Sequence, residues 1–290
     1  MELAQASGAL LGLAVGDAMG APLEGLPPPR RRVTEMEGGG LNTVRPGQYT
    51  DDTLQTCALA RSLIVCRGYS AEDVLLRLAA GYRRQPRFYG PTARAAFALV
   101  GQGYGPEDAA RIVHSRNRGS RSNGSVMRGL PLGIFYRPHR VGEVSRACSR
   151  LTHFDPVAGE CSAFVNRMAS ELCRGRTTRA AYHHALTECR DREVFAVLSA
   201  YDEFELRPTL DAVQSTHCAL AVFMNAPSYE EAVLAAINLG GDADTVGAIT
   251  GGLAGAAWGI AAIPRRWLLA LQDAEKLHLL SRQLWAVSQW

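Results

Sequence analysis

The sequence has no sustained two-residue alternation of apolar and polar side chains, so a sheet-built core is not expected. It has no cysteines spaced two or four apart among positions 57, 66, 148, 161, 173, 189 and 218. That excludes the usual zinc pairings, and an odd count of scattered thiols fits a reducing cytoplasm. No large excess of one charge is present. The net +3 allows an anionic small ligand but argues for neither nucleic acid nor a membrane surface. No basic residue precedes the N-terminal apolar run, which Asp17 interrupts, so a secretory signal is not expected. Val246 to Ile263 is uncharged, yet rich in Gly, Ala and Thr and abutted by acidic residues. It reads as a buried central helix rather than a membrane span. Gly-x-Ser-x-Gly, His-Glu-x-x-His and the Gly-Lys-Ser/Thr of a phosphate loop are all missing. A covalent serine or cysteine mechanism is therefore not indicated. No stretch reads as an interdomain linker, so one domain over 1–290 is expected.

What is present is helical periodicity over most of the chain. Helices are predicted near 4–20, 53–67, 71–83, 92–101, 106–114, 126–136, 141–150, 156–173, 177–189, 191–202, 210–224, 229–238, 245–260 and 265–288. Hydrophobic content of 47% supplies a core. The expected class is all-α, a compact orthogonal multi-helix bundle. Gly8, Gly12, Gly16 and Gly20 recur every fourth residue, as do Gly247, Gly251, Gly255 and Gly259. An interior helical glycine costs about 1 kcal/mol against alanine, so close packing must compensate. Either the two stripes meet, or each receives a bulky helix from elsewhere.

Two acidic clusters carry the chemistry: Thr50-Asp51-Asp52-Thr53 and Asp242-Ala243-Asp244-Thr245. Each follows a glycine-containing turn and precedes an apolar helical run. Adjacent carboxylates converge only at a turn or a helix start. Helix capping would explain either cluster alone. Two of like composition point instead to a shared site for hard divalent cations, Mg2+ or Mn2+. The irregular segment from about 22 to 50 carries Glu24 and ends on the first cluster, as a substrate lid or rim would. The turn Gly119 to Ser125, with Ser120, Asn123 and Gly124, offers donors for an anion, although an ordinary loop has the same composition. His153 stands just before a helix, either as a structural hydrogen-bonding group or in the site.

Gly12-Leu13-Ala14-Val15-Gly16-Asp17-Ala18-Met19-Gly20 with Glu24, Tyr49 to Thr53, Ser122 to Arg128, Leu151-Thr152-His153 and Leu239 to Thr245 follow one another in order. Together they resemble the ADP-ribosylhydrolases of the dinitrogenase-reductase-activating glycohydrolase type, over nearly the whole chain. The resemblance implies an all-α fold, a dinuclear magnesium or manganese centre, and release of ADP-ribose from a modified side chain or small molecule. It implies metal ligation by Thr50, Asp51, Asp52, Asp242, Asp244 and Thr245. Glu24 would gate entry or orient water, with Glu24 or Asp51 accepting its proton. Gly90, Gly119, Ser120, Asn123, Gly124, Ser125 and His153 would hold the ADP-ribose. Two departures stand out. Phe88 occupies a position where the arginine-specific branch resembles an Asp-x-Gly pattern, and Arg121 stands where the serine and poly(ADP-ribose) branch has a tyrosine. An O-glycosidic substrate is favoured over ADP-ribosyl-arginine. The rivals are a metal-dependent phosphohydrolase and a non-catalytic ADP-ribose-binding module. A cytoplasmic monomer is expected.

Overall fold

A computed structural model describes residues 2–288. The described residues form fifteen α-helices and no sheet. In order they are α1 (Leu3–Gly20), α2 (Asp51–Cys66), α3 (Ala71–Arg84), α4 (Pro91–Gly101), α5 (Asp108–Asn117), α6 (Leu130–Phe135), α7 (Pro138–Ser149) and α8 (Pro156–Cys173). Then follow α9 (Thr178–Thr187), α10 (Arg192–Ser199), α11 (Ala212–Asn225), α12 (Tyr229–Ile237), α13 (Ala243–Trp258), α14 (Arg265–Ala270) and α15 (Ala274–Val287). Their starts are capped as the side chains dictate. Asp155 accepts from the Val157 N–H beside Pro156, and Ser70, Thr177, Asp191, Asp211 and Ser228 cap likewise.

The two glycine stripes meet. Helices α1 and α13 run antiparallel with Gly8 against Gly255, Gly12 against Gly251, Gly16 against Gly247 and Gly20 against Ala243. A Cβ placed on Gly16 would sit 1.9 Å from the Gly247 carbonyl oxygen, and one on Gly255 1.9 Å from that of Gly8. Only hydrogen fits at these crossings. The lost helix propensity is offset by backbone-to-backbone contact. Tyr229 of α12 closes the seam and donates its hydroxyl to the Gly12 carbonyl at 3.0 Å. Gly259, with φ +76, ends α13; a Cβ on it would make only ordinary contact with Ala4, while one on Gly8 would lie 2.6 Å from the Gly259 carbonyl carbon.

The pair α1 and α13 is buried almost all round, with α12, α11 and α8 packed on α13 and α15 and α2 on α1. Among the described residues, Leu3–Leu23 is the one segment long and apolar enough to cross a membrane, and it is 94% buried inside the protein. Two predicted helices are corrected. The span 265–288 breaks at Leu271 to Asp273, where the Gln272 N–H reaches the Gly47 carbonyl and Asp273 turns left-handed. The span 126–136 becomes a 3₁₀ turn at Asn123–Ser125 followed by α6.

Candidate active site

The register of α1 on α13 decides where the acidic groups go. Because Gly20 faces Ala243, the C-terminal end of α1 lies beside the N-terminal end of α13. Asp17, one turn before Gly20, therefore comes to the same end as Asp242 and Asp244. Asp17 is fully buried and faces the start of α2. Its Oδ1 accepts from the Thr50 N–H and hydroxyl, both at 2.9 Å. Its Oδ2 accepts from the Thr53 N–H at 2.9 Å and hydroxyl at 2.6 Å. A carboxylate from a distant helix thus caps α2, whose own Thr50 makes no cap bond. Asp51 and Asp52 fall in the first turn it fixes.

The second cluster is fastened from the other side. The Gly25 N–H donates to the Gly241 carbonyl, and the Gly241 N–H to the Leu26 carbonyl, each at 2.7 Å. This bridge brings Glu24 to Asp242 and Asp244, and single carboxylate oxygens of the three lie within 4.8 Å of one another. Thr50 Oγ1 lies 3.4 Å from Asp244 Oδ2 and 3.5 Å from Asp52 Oδ2, which joins the two clusters directly. The segment from Glu24 onward is held along its length. Asn238 bonds both backbone groups of Val33, the Trp267 indole donates to Thr34, and Arg266 pairs with Glu35. It forms a fastened rim, one of the two expected forms.

These groups open into a cleft of about 180 Å³. Glu24, Asp51, Asp52, Asp242, Asp244 and Thr245 line it, and Phe88, Gly90, Pro91, Asn123, Gly124 and His153 are among the others that do. No lysine or arginine lines it. Burial raises the acidic pKa values of the cleft and of Asp17 behind it: Asp17 to about 6, Asp242 to about 7, and Glu24, Asp51, Asp52 and Asp244 upward as well, with neighbouring carboxylates adding to the rise for all but Asp17. Asp52 Oδ1 is buried with no hydrogen-bond partner. Crowded carboxylates, an all-oxygen donor set, an orphaned oxygen and no Lys or Arg among the described lining residues fit hard divalent metal ions.

Other expected residues are placed differently. Asn123 lines the cleft, donates its amide to Asp242 Oδ2 and its backbone N–H to the Leu210 carbonyl, and so orients a carboxylate. Ser120 bonds His114 and receives the Asp155 N–H, and Ser125 accepts from Ser149. Gly119, with φ +145, follows the end of α5. None of these three lines the cleft. Gly124 does line it, and a Cβ there would lie 2.8 Å from the His153 ring. Arg121 is held by Asp211 and by both oxygens of Glu193.

The sequence matches the ADP-ribosylglycohydrolase family over residues 2–290. The chain belongs to that family. It is a hydrolase of the class that cleaves ADP-ribosyl glycosidic bonds. It is 30% identical to an ADP-ribosylarginine hydrolase, Tri1, of Serratia proteamaculans, covering 98% of this chain and 79% of that one. It is 31% identical to the ADP-ribosyl-[dinitrogen reductase] glycohydrolase of Rhodospirillum rubrum, over 92% and 90% of the two chains. Human ADP-ribosylhydrolase ARH3 shares 24% identity over 99% and 94%. A solved chain described as an ADP-ribosylglycohydrolase-related protein complex superposes with a TM-score of 0.88 at 34% identity, covering 99% of each.

Asp17 is the site residue that sequence reasoning overlooked. Its signal was a lone carboxylate inside an otherwise uncharged, glycine-striped helix. Such a group is buried by its neighbours and must have partners.

Proposed function

We propose that this chain, as one domain of the family, hydrolyses the bond between the anomeric carbon of ADP-ribose and an acceptor, using two divalent cations, Mg2+ or Mn2+. The observation that carries the metal reading is the cluster of buried carboxylates with no cation lining their cleft. Asp51, Asp52, Asp242, Asp244, Thr50 and Thr245 are the residues that would hold the ions. When bound, the cations neutralise these carboxylates and supply Lewis acidity toward ribose oxygens and water. Asp17 keeps the first turn of α2 in place, and Asn123 does the same for Asp242. Glu24 is less buried than the aspartates, and Asn42 steadies it at 2.6 Å. It suits the role of taking the proton of the attacking water and passing it to the leaving group, while hydroxide adds to the anomeric carbon and the glycosidic bond breaks. Free thiols throughout fit a reducing cytoplasm.

For the acceptor, Phe88, Pro91, Ala93 and Leu210 give the cleft lining an apolar share and no acidic partner for a guanidinium at position 88, which suits an O-linked serine, acetyl or polymer substrate. The arginine-linked reading draws on the relatives named for ADP-ribosylarginine and dinitrogen reductase, which share 30% and 31% identity with this chain. Parallel kinetics on serine- and arginine-linked substrates decide between them. The O-linked reading requires a kcat/KM at least about tenfold higher on the serine linkage. Faster cleavage of the arginine linkage overturns it.

A further inference from the structure

Behind the cleft wall lies a guanidinium that is not itself part of the cleft lining. Arg128 is fully buried and does not line the cleft. Its Nη1 donates to Gln55 Oε1 at 2.9 Å and to the Gly124 carbonyl at 3.0 Å. Its Nη2 donates to Thr152 Oγ1 at 2.6 Å. A guanidinium has donors and no acceptor, so it dictates the polarity of whatever it meets.

On one side the Gln55 carbonyl must face Arg128, and its amide nitrogen then faces Asp51 Oδ2 at 2.6 Å. On the other side Thr152 Oγ1 accepts from Arg128 and stands 2.8 Å from His153 Nδ1. Two arrangements are conceivable there. If Nδ1 carried the hydrogen, the threonine oxygen would accept twice and its own buried hydrogen would have no acceptor. If Nδ1 is bare, Thr152 donates to it, and both the threonine hydroxyl and Nδ1 are satisfied. The second arrangement is the one buried polar groups adopt. The ring is neutral, because burial and the charge of Arg128 both oppose the imidazolium. A neutral imidazole whose Nδ1 accepts carries its hydrogen on Nε2. That nitrogen lies on the Gly124 side, where His153 lines the cleft; a Cβ on Gly124 would be 3.0 Å from it.

We propose that Arg128 and Thr152 are positioning residues that lock His153 as the neutral Nε2–H tautomer, so that His153 presents a fixed hydrogen-bond donor to an oxygen of the bound ADP-ribosyl group and takes no part in proton transfer. The proposal rests on the reading of this cleft as the ADP-ribosyl site. It assigns separate tasks to the cleft residues: carboxylates handle protons, and the histidine only holds an oxygen.

The test is nitrogen-15 NMR of the full chain with labelled histidine, without substrate, the His153 signals being assigned by their loss in His153→Gln. The expected spectrum shows an unprotonated Nδ1 and a protonated Nε2 that do not titrate from about pH 5 to 8. Thr152→Val, which keeps the shape and removes the hydroxyl, should convert this to a mixture of tautomers and raise KM about tenfold with a smaller change in kcat. Thr152→Ser should restore both. A protonated Nδ1 in the wild type overturns the inference, as does a Thr152→Val spectrum identical to wild type. The spectrum does not depend on turnover. Absence of ADP-ribose release would therefore remove the functional reading and leave the tautomer result standing. Intact release with the wrong tautomer would remove this inference alone.

Discussion

Replacing Asp17 by asparagine tests how a residue outside the cleft builds the cleft. Asp17 accepts four hydrogen bonds, two from backbone N–H groups and two from hydroxyls. Asparagine keeps the shape but has one acceptor oxygen. Whichever way the amide turns, one threonine N–H meets an NH2 group and stays unsatisfied. A buried unpaired N–H costs about 1–3 kcal/mol. Against this, the wild-type carboxyl is pushed from 3.8 up to about 6 by burial. Keeping it ionised above that pH costs roughly 3 kcal/mol, which asparagine avoids. The native state holds a proton between pH 3.8 and about 6 that the unfolded chain has released, so the wild-type contribution is full below this window and lost through it. Metal-free Asp17→Asn should therefore be less stable than wild type by about 2 kcal/mol near pH 4 and more stable than it by about 1 kcal/mol near pH 8. Function follows a different course. With the first turn of α2 loosened, Thr50, Asp51 and Asp52 lose their register, and Mn2+ affinity should fall by roughly 10- to 100-fold, as for other groups that orient metal ligands. Urea unfolding at the two pH values and calorimetric Mn2+ titration measure both effects. A variant that binds Mn2+ as tightly as wild type refutes the reasoning.

The glycine seam predicts that Gly16→Ala, whose Cβ would fall 1.9 Å from a backbone oxygen, destabilises the protein by about 3 kcal/mol or more in urea melts. Gly101→Ala, with nothing within 4 Å, should be neutral within about 1 kcal/mol; equal effects of the two would sink the packing argument. The site carboxylates predict that metal-free protein loses stability as pH rises from about 4 through 7, because their folded pKa values are raised, to about 6 for Asp17 and about 7 for Asp242. His153, lowered to about 3, acts in the opposite sense: its contribution is complete above about pH 6.5 and fades as pH falls, but it is one group against several. Saturating Mn2+ should raise Tm more at pH 8 than at pH 5, and thermal melts showing the reverse order would contradict the metal assignment.

The helices and the two acidic clusters were legible because each has a local cause. Period, capping residues and propensity act within a few positions, so Asp155-Pro156 starts a helix wherever the rest of the chain goes. The stripes foretold a close crossing but not their partner, since a glycine row accepts any surface. What was lost was long-range. Asp17 caps a helix 33 residues further along, and nothing near position 17 says so. The Leu271 to Asp273 break comes from the Gly47 turn docking on it, a contact absent from local periodicity. Ser120 bonds His114 and the Asp155 N–H, and Ser125 accepts from Ser149, partners that composition alone does not reveal. Arg128 looked like an ordinary motif residue, and only its burial between Gln55 and Thr152 gives it a role.

The central claim is that the carboxylate cluster is a divalent-metal centre that cuts a bond to ribose. The most direct measurement is product analysis after incubation with serine-, arginine-, O-acetyl- and polymer-linked ADP-ribose, with and without Mg2+ or Mn2+, for the wild type and for folded Asp52→Ala and Asp242→Ala. The account predicts free ADP-ribose, formed only with metal and lost in both variants. Release of AMP instead, or undiminished turnover in both variants, would contradict it.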